Sequence, residues 1–269
     1  MAVTLFASDL HGDFDLAKAI GTATHKFDAQ VVFGGDYLND DEVLKARFQM
    51  KQLSESDQFK KMSEEQRKQV DDSVQELNNQ ASQQFGSQFQ TLDEIVGTYK
   101  NKAYGVLGNH DDENIARAVF KNLQLIEGKK QKINGQIYYG VDHYSARAYD
   151  LEAQQKRDNH FRVESQIEKL KKEKGIDVLV MHEGAHEKLA HKGEAHHKGL
   201  AKFVKERKLG IFCGHEHDRS MYLNDDQELM MATERVYAKI HYSTRYAVYS
   251  MDVKTFKEKY SEKAEQKAA

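Results

Sequence analysis

The sequence predicts an α/β domain built on mixed β-sheets. Short apolar runs with β-branched residues recur along the chain, each ending at Gly, Asn, Asp or His. Amphipathic stretches separate several of them, which is the alternation of parallel βαβ units. A further run is interrupted by Asn134-Gly135, a hairpin signal, so antiparallel strands join the parallel ones.

Ala2–Ala7 reads as the first buried strand, and Asp15 is placed to cap a helix turning Leu16, Ala19, Ile20 and Ala23 inward. Ala29–Phe33 is the second strand, and strand, helix, strand at this spacing forms a βαβ unit. Between about residues 40 and 100 the composition shifts to Gln, Lys, Glu and Ser. That is more chain than one crossover helix requires, so residues 40–100 are expected to be a helical insertion within a single domain spanning 1–269. Val43, Leu44, Phe48 and Leu53 suggest one amphipathic helix; Leu77, Ala81, Phe85, Phe89, Leu92, Ile95, Val96 and Tyr99 mark a longer one. Residues 54–72 between them are charged and suit an exposed helix or a loop.

Residues 103–107 form the third predicted strand, followed by a helix over 112–125 with Ile115, Ala118, Val119 and Leu123 inward. After the hairpin, 145–174 reads as a long charged helix, 177–181 and 209–213 as buried strands, and 199–208 as a helix between them. Stretches at 220–223, 228–232 and 246–253 predict antiparallel strands, and the charged tail from Lys254 predicts a solvated end.

At 269 residues the chain can bury a sizeable core. A net charge of −3 gives no global basic field for nucleic acid or anionic lipid, so a nucleic-acid partner is disfavoured. The single Cys213 excludes an intrachain disulfide and suits a reducing compartment. No apolar run approaches the roughly 18 residues of a membrane span. The first strand runs straight into Asp9 and His11, without a signal-peptide layout. A cytoplasmic protein without membrane association is expected. Proline is absent, so tight turns fall to Gly, Asn and Asp.

Five polar clusters stand just past apolar runs: Ser8-Asp9-Leu10-His11-Gly12, Gly34-Gly35-Asp36, Gly108-Asn109-His110-Asp111, His182-Glu183 and Gly214-His215-Glu216-His217. Alternation along a strand end puts Asp9 and His11 on one side, and likewise His215 and His217. Asp36 is placed to bridge two cations, while Asn109 offers a neutral oxygen and His182 a neutral nitrogen. Two divalent ions about 3.5–4 Å apart can hold a hydroxide and clamp a phosphoryl group for in-line attack. Any one cluster alone reads more readily as a turn. Five in sequence, each behind a strand, do not.

In the order D-x-H, G-D, G-N-H-D, H, G-H-x-H, these clusters resemble the calcineurin-like metallophosphoesterases, from residue 9 to residue 217. The resemblance implies a four-layer α/β/β/α sandwich with two mixed sheets and a dinuclear site at their common edge. It implies one ion on Asp9, His11, Asp36 and His217, and another on Asp36, Asn109, His182 and His215. Manganese is the first choice, and nitrogen and oxygen ligands also admit Fe, Zn, Ni or Co. His110 would stand beside the ions and stabilise the transition state or protonate the leaving oxygen, with Asp111 orienting it. The implied reaction is hydrolysis of a small phosphate ester by a hydroxide bridging the two metal ions.

Protein Ser/Thr phosphatases of this superfamily carry an Arg shortly after the Gly-Asp motif and a Glu closing the third. Here Tyr37-Leu38-Asn39 and Asp111 stand there, and the Asn-Pro-Gly-Ser stretch of compact members is missing around 232–235. The chain therefore looks more like the phosphodiesterase side, acting on phosphodiesters or nucleotides. A phosphomonoesterase, a nuclease or a non-catalytic scaffold of the same fold are the alternatives.

His182-Glu183-Gly184-Ala185-His186 also matches the zinc-protease pattern H-E-x-x-H, but that chemistry needs both histidines on one helix face. Here a strand-like run leads into His182. His191, His196 and His197 follow among lysines and read as a solvated loop, or as one overhanging the metals; Arg219 and Arg235 could likewise grip phosphate. The helical insertion could cap the site or supply a homodimer surface.

Overall fold

The structure, a computed structural model, describes residues 2–39, 56–141, 167–183, 198–215, 220–224, 228–232, 235–241 and 246–261, with a few helical positions in 46–54 and at 165. Strand β1 (Ala2–Ala7) is buried from Val3 onward. Helix α1 (Phe14–Phe27) starts at Asp13, not Asp15: the Asp13 carboxylate accepts the Leu16 N–H at 3.0 Å, the orphan donor a short side chain reaches. The helix ends at Asp28, whose left-handed backbone (φ 53°) lets its N–H donate to Thr24 O. Strand β2 (Ala29–Phe33) then pairs with β1 in parallel.

Helices α2 (Asp57–Lys60) and α3 (Glu64–Gly97) occupy the polar region. A capping box between Ser63 and Gln66 opens α3, whose 34 residues make a rod about 50 Å long. Its C-terminal half buries Ala81, Phe85, Phe89, Leu92 and Val96 in the core shared with β1 and β2. That half is the crossover helix that a parallel pairing of β2 with β3 (Ala103–Gly105) requires. Residues 64–80 are exposed or half-exposed. The helix expected around 43–53 falls almost wholly outside the described residues.

Helix α4 (Glu113–Val119) is shorter than the expected 112–125. The chain turns extended at Phe120, and Leu123–Leu125 forms strand β4, parallel to β3. The cause is Asp93 of α3, whose Oδ1 accepts the N–H groups of Lys121 (3.0 Å), Asn122 (2.8 Å) and Leu123 (3.1 Å). A tertiary acceptor outcompetes the next helical turn.

Strands β5 (Lys130–Ile133) and β6 (Gln136–Gly140) form the expected hairpin, with Asn134 (φ 47°) and Gly135 (φ 90°) at its turn. Residues 167–172 are helical, and most of the helix expected over 145–174 lies outside the described residues. The chain continues through β7 (Val178–Val180), α5 (Lys198–Arg207), β8 (Gly210–Cys213), β9 (Ser220–Asn224), β10 (Glu228–Ala232), β11 (Arg235–His241), β12 (Tyr246–Asp252) and α6 (Val253–Tyr260).

One six-stranded sheet has the order β12-β11-β1-β2-β3-β4 and the other β5-β6-β7-β8-β10-β9. In the first, β1 to β4 are parallel and β11 runs antiparallel to both its neighbours. In the second, β6, β7, β8 and β10 are parallel and the edges β5 and β9 are antiparallel. Strand β10 pairs antiparallel with β9, as expected, and parallel with β8 on its other side. Strand β11 was not foreseen, because Arg235, Lys239 and His241 break its apolar pattern; it closes on β1 with Ala2 opposite His241. The first part of the tail expected to be solvated from Lys254 is helix α6, whose Phe256 and Tyr260, four apart, bury against the α1 side of the core, and the rest lies outside the described residues.

Three apolar cores separate four layers, so the fold is an α/β/β/α sandwich. Leu5, Ile20, Val31, Phe89 and Phe256 fill the space between the first sheet and α1, α3 and α6. Phe6, Val32, Tyr104, Val180 and Phe212 lie between the sheets. Ile167, Leu170, Phe203, Val204 and Ile211 join the second sheet to its covering helices. Leu5 and Phe6 face different cores because strand side chains alternate. Among the described residues, no helix is long and apolar enough to cross a membrane.

Candidate metal centre

The polar clusters meet where β1, β2, β3, β7 and β8 end, because pairing persists beyond the strands. Gly34 N–H donates to Ala7 O at 2.9 Å, Asp9 N–H to Gly35 O at 3.0 Å and His11 N–H to Asp36 O at 3.0 Å. On the second sheet, Gly214 N–H donates to His182 O at 2.9 Å and sets His215 beside His182. The sheets are joined at this edge by His215 N–H, which donates to both Asp9 carboxylate oxygens at 3.0 and 3.1 Å.

The approach is close enough to demand glycine. A Cβ on Gly108 would collide with the Asp36 carboxylate, and one on Gly214 with Ser8 Oγ and the Asp9 carboxylate. Asp9, His11, Asp36 and His215 all have positive φ, at 54°, 41°, 54° and 73°. Left-handed backbone at non-glycine residues costs about 1–3 kcal/mol each and persists only where the surroundings impose it.

Two ligand groups result, and they share Asp36. Asp9, His11 and Asp36 form one, and Asp36, His182 and His215 the other, with the donor atoms of each group within 4.8 Å of one another. His182 Nε2 lies 3.1 Å from Asp36 Oδ2 and 2.9 Å from Asn109 Oδ1; His215 Nδ1 lies 3.2 Å from Asn109 Oδ1. The His182 Nδ1–H donates to Gly34 O at 2.9 Å, which turns Nε2 toward Asp36, where the neutral imidazole would offer its lone pair to a cation. His11 Nδ1 is 3.2 Å from Leu38 O, an arrangement that turns its Nε2 toward the carboxylates of Asp9 and Asp36, each at 3.9 Å. Asp36 is fully buried, and its Oδ2 accepts no hydrogen bond among the described residues while facing His11, His110 and His182. An anionic oxygen so placed fits divalent ions between the two groups.

The family model for the calcineurin-like phosphoesterases matches residues 2–219. The chain belongs to the calcineurin-like phosphoesterase family. One solved structure aligns with TM-score 0.66 at 11% identity, covering 93% of this chain and 98% of its own. TT1561 of Thermus thermophilus aligns at 12% identity and TM-score 0.48, over 93% of this chain and 98% of its own. A 5'-nucleotidase precursor from the same organism aligns at 9% identity and TM-score 0.46, over 98% of this chain and 59% of its own. Among curated proteins, none matches in sequence.

In this calcineurin-like phosphoesterase the Asp111 carboxylate accepts backbone amides from the second and third motifs. Oδ2 accepts the N–H of Asp36 (3.0 Å) and of Gly108 (2.9 Å), and Oδ1 that of Tyr37 (2.9 Å). Asp111 is thus a clamp between the second and third motifs. Asp36 Oδ1 returns the contact by accepting the His110 N–H at 3.0 Å. The His110 ring stands at the rim, with Nε2 3.8 Å from Asp36 Oδ2 and 13% of the side chain exposed. It edges on the His11 ring at 5.5 Å and belongs to neither ligand group.

Burial opposes charge on Asp36, yet His182 and His110 hold its pKa below the usual carboxylate range. Burial also opposes charge on His182, and Asp36 reverses the balance, raising its pKa. For Asp111, burial and the nearby Asp36 charge push the pKa up against the pull of its backbone donors.

His217, Arg219, His186, His191, His196 and His197 lie outside the described residues. His182 and Glu183 follow β7 without entering a helix, unlike the start of a zinc-protease motif. Arg235 lies in β11, where its Nε–H donates to Ser250 Oγ at 3.1 Å. Sequence reasoning missed Tyr37, whose hydroxyl donates to Val106 O at 2.9 Å beneath the site. A tyrosine directly after a Gly-Asp motif carries no local sign of that contact.

Proposed function

We propose that this protein is a metal-dependent phosphohydrolase whose substrate is a phosphodiester or nucleotide. The observation that carries the reading is the buried Asp36 carboxylate shared by two ligand groups at the seam of the sheets. Two divalent ions held there by Asp9, His11, Asp36, Asn109, His182 and His215 would supply a hydroxide nucleophile and neutralise phosphoryl charge. His217 completes the first group in this reading. Manganese suits such a nitrogen and oxygen ligand set.

In this reading His110 hands a proton to the leaving oxygen. It is at the rim, close to both groups and a member of neither, and imidazole titrates near neutral pH. The preference for a diester rests on the two residues after Asp36. Tyr37 and Leu38 are each 1% exposed and point into the core, so this stretch offers no cation for the second charge of a phosphomonoester.

The test is hydrolysis of bis-p-nitrophenyl phosphate and p-nitrophenyl phosphate with Mn²⁺, beside the metal-stripped protein and the Asp36→Asn and His110→Ala variants. Metal-dependent diester turnover is expected, lost in Asp36→Asn along with bound metal. In His110→Ala it should fall about 10²–10⁴-fold with the metal retained. Turnover of the monoester alone would move the assignment to a phosphatase. Diester turnover that survives in Asp36→Asn would sink the reading.

A further inference from the structure

Strand β3 ends at Gly105, and its pairing runs one residue further, where Val106 N–H donates to Phe33 O at 3.2 Å. On the β4 side, Ile126 N–H donates to Gly105 O at 3.0 Å. Beyond that point the chain leaves the sheet to deliver Asn109 and His110. The peptide unit joining Val106 to Leu107 is buried, and side chains hold both its ends. The Tyr37 hydroxyl donates to Val106 O at 2.9 Å, and Leu107 N–H donates to Glu127 Oε1 at 2.6 Å. The second distance is at the short end for an N–H···O bond and marks a charge-assisted one.

Glu127 sits just past β4, and its carboxylate is fixed from several directions. Its backbone bridges to Gly140 of the second sheet, and the following Gly128 N–H donates to Gly140 O at 2.9 Å. Arg117 of α4 brings a guanidinium nitrogen to 3.5 Å from Glu127 Oε2. A carboxylate only 8% exposed carries a desolvation penalty, which this cation and the amide offset. The next amides in the loop also end on carboxylates: Gly108 N–H on Asp111 and His110 N–H on Asp36. Of these three anions, Glu127 alone lies outside the polar clusters.

We propose that Glu127 is a positioning residue for the metal centre, acting through the Leu107 amide to set the direction in which Asn109 and His110 leave the sheet. Asn109 Oδ1 stands 2.9 Å from His182 Nε2, two residues beyond the clamped peptide. A tilt of that peptide therefore moves a ligand oxygen and the proton donor together. This inference rests on the phosphohydrolase reading for its kinetic readout only.

The test compares holoenzyme with E127L, which removes the acceptor, and E127Q, which keeps it. Bis-p-nitrophenyl phosphate turnover, Mn²⁺ affinity of the metal-stripped proteins and the Leu107 amide proton shift would be measured side by side. E127L should lose about 10–100-fold in kcat and in affinity for one ion, with KM within about twofold, in line with losses at residues supporting metal ligands. E127Q should recover most of both, and the Leu107 amide proton should lie far downfield in the wild type and move upfield in E127L. Unchanged kcat and Mn²⁺ affinity in folded E127L would overturn the proposal, as would E127Q no better than E127L. Where E127L does not fold, Y37F, which frees the other end of the same peptide, carries the test: wild-type kcat and affinity there overturn the clamp. A wild type that binds Mn²⁺ but hydrolyses nothing would fail the functional reading alone, because affinity and amide shift still decide Glu127.

Discussion

At the scale of single residues, several carboxylates near the core and the site accept backbone amides. Asp13, Asp36, Asp93 and Asp111 each accept at least one N–H from another part of the loop or fold. His241 shows the reverse case, a titratable group kept neutral. Burial first, and then the charge of Lys239, lower its pKa from 6.5 to about 4. Between those values the unfolded chain binds a proton that the folded one refuses, so stability falls as pH drops from about 6.5 toward 4. Thermal melts of wild type and His241→Gln at about pH 7 and about pH 4.5, one on each side of the unfolded-state pKa, should show a smaller acid-induced drop in Tm for the variant. Equal drops would mean that His241 contributes nothing to the acid response.

At the scale of elements, α3 explains more of the fold than any other helix described. Its Ala81–Val96 face covers the first sheet, and Asp93 on that face gathers the chain entering β4. Asn122 completes the junction by donating from Nδ2 to Asp93 Oδ2 and Asp93 O, both at 3.1 Å. Removing a charged acceptor from these buried and part-buried amides costs about 1.5–3 kcal/mol per bond before relaxation. Asp93→Ala should therefore lower unfolding free energy by roughly 3 kcal/mol or more in urea titrations. A loss under about 1 kcal/mol would show that water replaces the carboxylate. The mechanism also accounts for the short α4: Phe120 N–H still bonds Ala116 O, but the next three amides, of Lys121, Asn122 and Leu123, find their acceptor in Asp93 across the fold.

At the scale of the molecule, the candidate centre exists only when the two sheets are seated on one another. Asp9, His11, Asp36 and Asn109 come from the first sheet, and His182 and His215 from the second. An ion held by Asp36, His182 and His215 would bridge that seam and bind the folded state alone, so it would stabilise by mass action. At about a hundredfold excess over Kd, an occupied site would add about 2.7 kcal/mol. For a chain of this size that is a rise in Tm of roughly 5–10 °C per site. Calorimetry should show this rise on adding Mn²⁺ to metal-stripped protein, and its loss in Asp36→Asn. An identical Tm with and without Mn²⁺ would separate the ligand cluster from the stability of the seam.

The sequence by itself determined the strands that end at the site, the hairpin and the cluster of ligand types. Buried strands read as apolar runs, Asn-Gly reads as a turn, and each polar cluster is contiguous, so all three are local properties. Only the tertiary structure decided the pairing of Ala2 with His241, the parallel setting of β10, the burial of α6 and the end of α4 at Val119. It also decided that Asp111 holds the amides of Asp36, Tyr37 and Gly108, and that Glu127 reaches Leu107. These contacts join residues on separate elements or loops, and their partners are chosen by which buried donor lies within reach after the layers pack. A local pattern records what a residue can bond; packing fixes what it does bond.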